Sequence, residues 1–265
     1  MCPRCGLLVG SEDAACQCGY VFGSIQDTST AAGRLRDTVD LFSAREALAI
    51  AFHALSELKG TIVGWMAIIG VCQLLPVTLV SPKPETPRDL AVFVAVALLS
   101  AWTSYGLNRA AMLRMRGEPF GFWSSRARPR EFGAILLTIL VMVVPVTIGI
   151  ILFVAPGVYL LLTWSQVTFL ILDGRARHVD SLRASEELTR DRRLEIFLVM
   201  MVPFLLTLPA RLLEAAVPMG GSLLSPGFVL FLVSTIWQMV VLTFGTFVSA
   251  VVYQMLLNSK KNRLP

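Results

Sequence analysis

The sequence predicts an all-α integral membrane protein with about six transmembrane helices, a small N-terminal zinc ribbon and amphipathic cytoplasmic helices. Three observations predict it: an apolar composition, long windows without charge, and four cysteines near the start. Of the 265 residues, 55% are hydrophobic and 15% are charged, and the mean hydropathy is +0.69. A soluble domain usually carries about 25% charged residues. The composition therefore excludes an ordinary soluble enzyme, and it also excludes a disordered chain.

The charge-free windows define the predicted spans. One helix needs about 20 apolar residues to cross a bilayer, and in lipid the backbone must satisfy its own hydrogen bonds, which favours helix. The windows 61–80 and 90–107 each fit one span. The window 132–172 has no charge and is too long for a single span. We divide it at Pro156, a helix breaker, into spans 132–155 and 156–172.

The last third of the chain predicts two more spans, 194–213 and 228–257. The second is long enough that it must tilt or extend past the bilayer. The first has a short uncharged stretch and contains Pro203 and Pro209. It is therefore either a kinked crossing or a re-entrant helix. The six spans form a predicted membrane domain over 43–257, followed by a basic tail at 258–265.

Lysine and arginine are unevenly distributed between the predicted loops. With six spans and an inside N-terminus, 20 of the 23 Lys and Arg residues lie on the cytoplasmic side. Because positive residues accumulate in cytoplasmic loops, both termini are predicted in the cytoplasm and the protein in the inner membrane. The net charge of +5 is then a topology signal and does not indicate nucleic-acid binding. Residues 1–20 show no signal-peptide pattern.

Residues 1–22 are predicted to form a zinc-ribbon head. They read Cys2-Pro3-Arg4-Cys5-Gly6, followed by Cys16-Gln17-Cys18-Gly19. Zinc binds four thiolates in a tetrahedron, and a glycine after each pair lets the backbone turn around the sulfurs. The segment resembles the short zinc-ribbon head of many bacterial proteins, but its second pair is separated by one residue instead of two. A structural zinc ion is thus expected on Cys2, Cys5, Cys16 and Cys18.

Two alternatives to zinc remain for these cysteines. They could form disulfides or take part in redox chemistry, or the segment could be a relic that binds no metal. Reduced thiols in the cytoplasm favour zinc. Residues 23–42 are small and polar and are predicted to be a flexible linker between the head and the membrane domain.

Amphipathic segments are predicted on the cytoplasmic surface. Ser43 and Glu46 form a capping-box pattern, and Leu48, Phe52 and Leu55 then recur on one face. This helix either lies in the headgroup region or packs on other loops. The loop 108–131 interleaves arginines with aromatic residues. This loop is predicted either to bind lipid head groups or simply to anchor the topology. Its candidate head-group or interface residues are Arg109, Arg114, Arg116, Trp123, Arg126 and Arg128.

Three short motifs occur in order along the membrane domain. They are Arg116-Gly117-Glu118, then Ala155-Pro156-Gly157-Val158-Tyr159, then Leu182-Arg183-Ala184-Ser185 with Leu188-Thr189. Over about residues 40–257 the chain resembles the six-helix membrane domain that accompanies some bacterial glycerophosphodiester phosphodiesterases, and related stand-alone membrane proteins. The resemblance implies that fold and a membrane location. It does not imply phosphodiesterase activity, because two histidines leave no room for the usual acid–base and metal residues.

Ionisable residues inside the predicted spans are few. Arg211 and Glu214 lie at i and i+3 on the fifth span and are either a candidate gate pair or an interfacial pair that snorkels to the surface. No residue is assigned a catalytic role. The expected function is a non-enzymatic membrane protein whose zinc ribbon docks a protein partner or stabilises an assembly. The alternatives are a carrier or lipid-handling protein, and a zinc-responsive membrane regulator.

Overall fold

The computed structural model describes residues 43–56, 60–79, 86–118, 125, 129–216 and 226–261. The predicted zinc head (1–22) and linker (23–42) lie outside the described residues, as do 262–265 of the tail. No strand is found within the described ranges. These ranges form nine α-helices: α1 (Ala44–Ser56), α2 (Gly60–Leu79), α3 (Pro87–Met115), α4 (Pro129–Leu152), α5 (Val154–Thr163), α6 (Val167–Leu172), α7 (Val179–Thr189), α8 (Arg193–Ala216) and α9 (Pro226–Lys261).

The outer surface of the bundle is apolar. Leu140, Leu194 and Phe204, for example, are 65%, 72% and 57% exposed. Soluble proteins do not expose large contiguous apolar surfaces of this kind. Five segments are long and apolar enough to cross a membrane: Pro87–Met115, Glu131–Leu152, Val154–Leu172, Arg193–Leu213 and Gly227–Lys260. The prediction of an all-α membrane protein is confirmed at this level. The predicted first span, 61–80, corresponds to α2, which is not among those five.

One end of the bundle carries a cluster of charged residues. Asp173, just after α6, contacts Arg116 at the end of α3 and Tyr253 near the end of α9. Helix α8 runs antiparallel to α9, since Met200 contacts Ser249 and Leu206 contacts Trp237. The start of α8 therefore lies at the same end as Asp173. We call this the basic end, defined by Arg116, Asp173, Arg175 and Arg193, and we call the other the far end.

Helix α3 begins at the far end and is longer than the predicted span 90–107. Thr86 caps it: its hydroxyl accepts from the Asp89 N–H at 3.2 Å, and the Asp89 carboxylate accepts from the Thr86 N–H at 3.2 Å. Pro87 occupies the first turn, where a missing N–H costs nothing. The helix continues past Arg109, because charge limits the stretch that lies in hydrocarbon but does not end a helix.

Helices α4 and α5 form an antiparallel hairpin with one residue, Phe153, between them. The turn lies at Phe153, three residues before Pro156. The sequence predicted it at Pro156, but proline is tolerated in the first turn of a helix. Gly157 makes the tight hairpin possible. A Cβ there would lie 2.3 Å from Ile150 Cγ1 and 2.7 Å from the Ile150 backbone nitrogen.

The second limb of the hairpin is broken, unlike the continuous helix predicted over 156–172. Helix α5 ends at Thr163, and α6 begins at Val167. Helix α7 satisfies the break: Ser185 Oγ donates to the Thr163 carbonyl at 2.7 Å, and Thr189 Oγ1 donates to the same oxygen at 3.2 Å. A backbone break away from water needs such partners. The motif at 182–189 thus has a structural explanation.

The core of the bundle surrounds α9. Helix α9 contacts α8, α1, α3, α2 and α7, and its side chains from Phe247 to Tyr253 are mostly fully buried. Helix α1 packs against α8 and α9 through Ala47, Ile50, Ala51 and Ala54. Phe52, predicted on the apolar face, is instead 67% exposed. Small alanines allow a closer helix approach than Phe52 would, and they decide which face is buried.

Candidate functional site

A groove lies between α8 and α9. We call it the α8–α9 groove; its volume is about 720 Å³, within the range of about 300–1,000 Å³ of small-molecule pockets. Helix α8 contributes Met200, Pro203, Phe204, Thr207 and Arg211, and α9 contributes residues between Phe231 and Ser249. The α9 wall covers about 27 Å of helix axis, close to the thickness of a bilayer core of about 30 Å.

Two contacts set the spacing of the groove walls. A methyl group at Gly245 would meet Pro203 Cβ at 3.4 Å, so the two helices approach closely there. The Trp237 indole N–H donates across the interface to the Leu206 carbonyl at 2.7 Å. Leu206 lies in the turn before Pro209, and prolines remove N–H donors from the helix. The indole therefore supports α8 where its own hydrogen-bond ladder is weakened.

The groove carries several hydroxyl side chains along a largely apolar lining. The Thr207, Thr235 and Thr246 hydroxyls donate to carbonyls of their own helices at 2.6, 2.8 and 3.0 Å. Ser249 does the same at 2.8 Å. A hydroxyl that donates to its own backbone keeps lone pairs that can accept from a ligand. The walls thus combine hydrocarbon with a line of hydrogen-bond acceptors.

One charged residue, Arg211, is among the residues that line the groove. It follows Arg193 by 18 residues, about 27 Å along α8, which places it towards the far end. The mouth of the groove faces sideways, because the lining residues Phe204 and Leu242 are 57% and 45% exposed. The groove is therefore open on the apolar surface of the bundle and ends at a guanidinium.

The gate pair, Arg211 and Glu214, stays a prediction. Arg211 lies on the groove, whereas the side chain of Glu214 is outside the described residues. Of the candidate interface residues in the loop 108–131, Trp123, Arg126 and Arg128 are likewise outside the described residues, and Arg114 is half-buried near the end of α3.

Arg109 and Arg116 are engaged by carboxylates. Arg109 Nη1 donates to Glu131 Oε2 at 2.8 Å, and the Tyr105 hydroxyl donates to the same oxygen at 2.6 Å. Arg116 Nη2 donates to Asp173 Oδ1 at 2.5 Å. These contacts attach both limbs of the α4–α6 segment to α3, so a structural role is visible for each of the two arginines.

Asp173 is the centre of a network that sequence reasoning missed. Besides Arg116, its carboxylate accepts from Arg175 Nε at 2.6 Å and from the Tyr253 hydroxyl at 2.7 Å. Its side chain is only 8% exposed. Burial raises the pKa of this carboxyl, but the hydrogen bonds from Arg116, Tyr253 and Arg175 together outweigh burial and hold the pKa below its ordinary value. The pairing joins residues far apart in sequence, so no local motif reveals it.

The zinc prediction rests on residues outside the described part of the chain: Cys2, Cys5, Cys16 and Cys18. Among the residues that the structure does describe, no group of three or more His, Cys, Asp or Glu side chains is placed to hold a metal ion.

The fold and the groove define the class of protein: an α-helical membrane protein with a lateral cavity inside its bundle. Comparisons of the chain with protein-family models, curated proteins and solved structures give no match. The resemblance to the membrane domain of glycerophosphodiester phosphodiesterases therefore stays a prediction.

Proposed function

We propose that the protein is a non-enzymatic, lipid-handling membrane protein that holds an amphiphile with an anionic head group in the α8–α9 groove. The observation that carries the proposal is the groove itself. Its volume of about 720 Å³ suits one ligand, and its mouth lies on the apolar surface of the bundle. A ligand dissolved in the bilayer could enter there without crossing water.

The chemistry of the lining selects the ligand class. Phe204, Phe231 and Leu242 suit a hydrocarbon chain. Arg211 suits a phosphate or carboxylate, since a guanidinium forms charge-assisted hydrogen bonds with either. The hydroxyl groups along the groove suit ester or hydroxyl groups below the head. A phospholipid and a free fatty acid share this chemistry, and they differ in mass.

We assign the basic end to the cytoplasm and the protein to the cell membrane. The bias of 20 among 23 Lys and Arg residues supports this side. In the six-crossing topology, α2, α3, α4, the α5–α6 limb, α8 and α9 each cross once. Both termini stay on the same side whether or not the α4–α5 hairpin crosses, because it contributes an even number of crossings.

Native mass spectrometry of the protein extracted from its own membrane tests the proposal. We expect one retained lipid per chain in the wild type, with its mass identifying a phospholipid or a fatty acid. Arg211→Ala should retain roughly 10-fold less, because a hydrogen bond to a charged group contributes about 1.5–3 kcal/mol. Arg88→Ala removes an exposed arginine of α3 that does not line the groove, and it should retain the wild-type amount.

A groove-filling variant provides the second arm. Thr246→Phe should exclude the lipid by occupying the groove. The matched control Val233→Phe adds the same ring on α9 at a position that is 55% exposed and outside the groove. Equal lipid retention in all four variants would overturn the proposal, whereas loss in Arg211→Ala and Thr246→Phe alone would support it.

The cysteine head supports a second proposal: it binds structural zinc and docks a protein partner. The spacing of Cys2, Cys5, Cys16 and Cys18 carries it. The double variant Cys2→Ser, Cys5→Ser should lose zinc and the co-purified partner while the protein stays in the membrane. Unchanged partner recovery would contradict docking. A zinc-responsive regulator would instead have to release zinc at physiological concentrations, which a zinc titration measures.

A further inference from the structure

We propose that the α4–α5 hairpin is re-entrant: it enters the bilayer from the basic end and turns back within the hydrocarbon, with its tip among lipid acyl chains. The hairpin tip is Ile151, Leu152, Phe153 and Val154. The proposal is independent of the α8–α9 groove. It assigns four crossings to the chain in place of six.

The tip has the surface of a lipid-embedded segment. Its four side chains are 76%, 66%, 74% and 68% exposed, and all four are apolar. At the turn, the Phe153 N–H donates to the Gly149 carbonyl at 3.0 Å, and no side chain of Phe153 caps the start of α5. Pro156 in the first turn of α5 removes one of the donors that a helix start leaves unpaired. A turn that emerges into water does not need to remove unpaired N–H donors, because water can accept from them, and such a turn usually carries polar residues.

The depth of the tip follows from a contact between α5 and α8. The Arg193 guanidinium lies over the Tyr159 ring, 4.5 Å from its centroid, and also donates to its hydroxyl. Arg193 begins α8 directly after a charged turn and lies 3.9 Å from Glu186 of α7. Tyr159 follows Phe153 by six residues, which is about 9 Å along a helix. The tip therefore lies only a short distance beyond a charged layer.

Helix α7 provides a second depth marker. Its Ser185 and Thr189 bind the Thr163 carbonyl at the end of α5. The opposite face of α7 exposes charged residues, among them Arg183, Glu186 and Glu187. The whole of α5 is about 15 Å long, half of a hydrocarbon core about 30 Å thick. With α7 at the membrane surface, α5 reaches the middle of the bilayer and not its far side.

A full crossing has a large electrostatic cost. For the tip to reach the far surface, α7 and the charged turn before α8 would have to sink to about half the depth of the core. Charged side chains in hydrocarbon are among the most unfavourable placements in a membrane protein. Four apolar side chains are favourable in lipid, and the cost there is confined to the few backbone groups that the turn leaves unpaired. The re-entrant placement is therefore the favourable one.

Helix α4 accommodates this depth by running obliquely. Its 24 residues extend about 36 Å, more than the depth available. It lies on the outside of the bundle, where its main neighbours are α5 and α6, and its surface is apolar along its length. Its base is held at the basic end, where Glu131 meets Arg109. Its tilt is set by its packing against α5 and α6.

Cysteine labelling of the full-length protein in intact cells tests the proposal. We add Phe153→Cys to the native chain and measure labelling by a membrane-impermeant maleimide above the level of the parent. Arg88→Cys at the far end and Glu187→Cys on α7 are the controls; both positions are exposed. We expect Arg88→Cys to react from outside, and Glu187→Cys to react only after permeabilisation. Phe153→Cys should react at least 10-fold more slowly than the accessible control in both conditions.

Fast reaction of Phe153→Cys from outside would overturn the proposal in favour of a full crossing. Fast reaction only after permeabilisation would also overturn it, because the tip would then lie at the basic surface. Leu152→Cys, at a second exposed tip position, repeats the measurement if Phe153→Cys does not accumulate. A spin label at either cysteine should show high accessibility to oxygen and low accessibility to a water-soluble nickel chelate. The reverse pattern would place the tip in water.

Discussion

The α8–α9 pair and the α4–α5 pair are both antiparallel, both apolar and both interrupted by proline, yet the two helices of each pair meet at different distances. In the α4–α5 pair, a Cβ on Gly157 would collide with Ile150, so the helices are in direct backbone contact. In the α8–α9 pair, the contact at Gly245 is with the Pro203 side chain, and a Cβ fits at 3.4 Å. A proline ring between two helices thus leaves room for a ligand, whereas a bare glycine contact closes the pair.

The comparison is sharpest at the two glycines. Gly157→Ala should destabilise the protein by about 3 kcal/mol, at the upper end of overpacking effects, because backbone atoms must move. Gly245→Ala should change stability by less than about 1 kcal/mol, since its new Cβ meets an ordinary contact. Thermal unfolding in detergent measures both. Gly133→Ala, where a Cβ meets nothing within 4 Å, is the control on α4. Equal shifts for Gly157 and Gly245 would refute the distinction.

The base of the hairpin should be the next most sensitive place. Asp173→Asn removes the carboxylate shared by Arg116, Arg175 and Tyr253, and we expect a loss of about 2 kcal/mol. The value lies below the about 3–5 kcal/mol of a fully buried pair, because Arg116 and Arg175 are 27% and 58% exposed. Unfolding of this variant should be compared with Asp180→Asn, an exposed position on α7. A shift no larger than that of the control would contradict the network.

The same carboxylate gives a pH dependence with a defined sign. Its pKa is lowered on folding, so its contribution is fully present above the ordinary value of 3.8 and is lost as the pH falls through the lowered pKa. The difference in stability between wild type and Asp173→Asn should therefore be constant from pH 8 to about 5 and shrink in stronger acid. A difference that grows as the pH falls would contradict this assignment.

The break between α5 and α6 should respond moderately. Ser185→Ala leaves the buried Thr163 carbonyl with Thr189 as its remaining partner on α7, and we expect a cost of about 1–2 kcal/mol. Ser259→Ala is a suitable control, because that hydroxyl bonds to its own helix on α9. If both variants unfold at the same temperature, α7 does not stabilise the break.

The smallest expected effect is at the indole between α8 and α9. Trp237→Phe keeps an aromatic ring but removes the hydrogen bond to Leu206, which should cost about 1 kcal/mol. Because the groove walls lose a contact, lipid retention should fall along with stability. A change in stability without a change in lipid retention would show that the Trp237 hydrogen bond does not affect lipid binding in the groove.

The sequence predicted where helices lie better than how they meet. Windows 194–213 and 228–257 correspond to α8 and α9, because the absence of charge reports what lipid tolerates. The turn at Phe153 was predicted three residues too late, at Pro156, and the break before Val167 was not predicted, since each depends on partners elsewhere in the chain. No local pattern indicates that Ser185 will cap a carbonyl of α5, or that Tyr253 will meet Asp173.

The groove was only partly predictable. Arg211 was predicted, with Glu214, as a candidate gate pair or interfacial pair, and the structure places Arg211 among the residues that line the groove. Thr235, Thr246 and Ser249 were not singled out, although they lie on one face of α9 with spacings close to whole helical turns. A polar stripe on an apolar helix is the signal that could have found them. The facing proline and glycine that create the space cannot be paired from one sequence.

The position of Tyr253 has a consequence for biosynthesis. It is 80 residues beyond Asp173, near the end of the last helix. As the ribosome releases the chain, the hairpin and its two arginines are in place long before this hydroxyl emerges. The base of the hairpin is therefore completed only after most of α9 has been synthesised. Chains truncated before Tyr253 should be recognisable to membrane quality control by an Asp173 carboxylate that lacks one of its three partners.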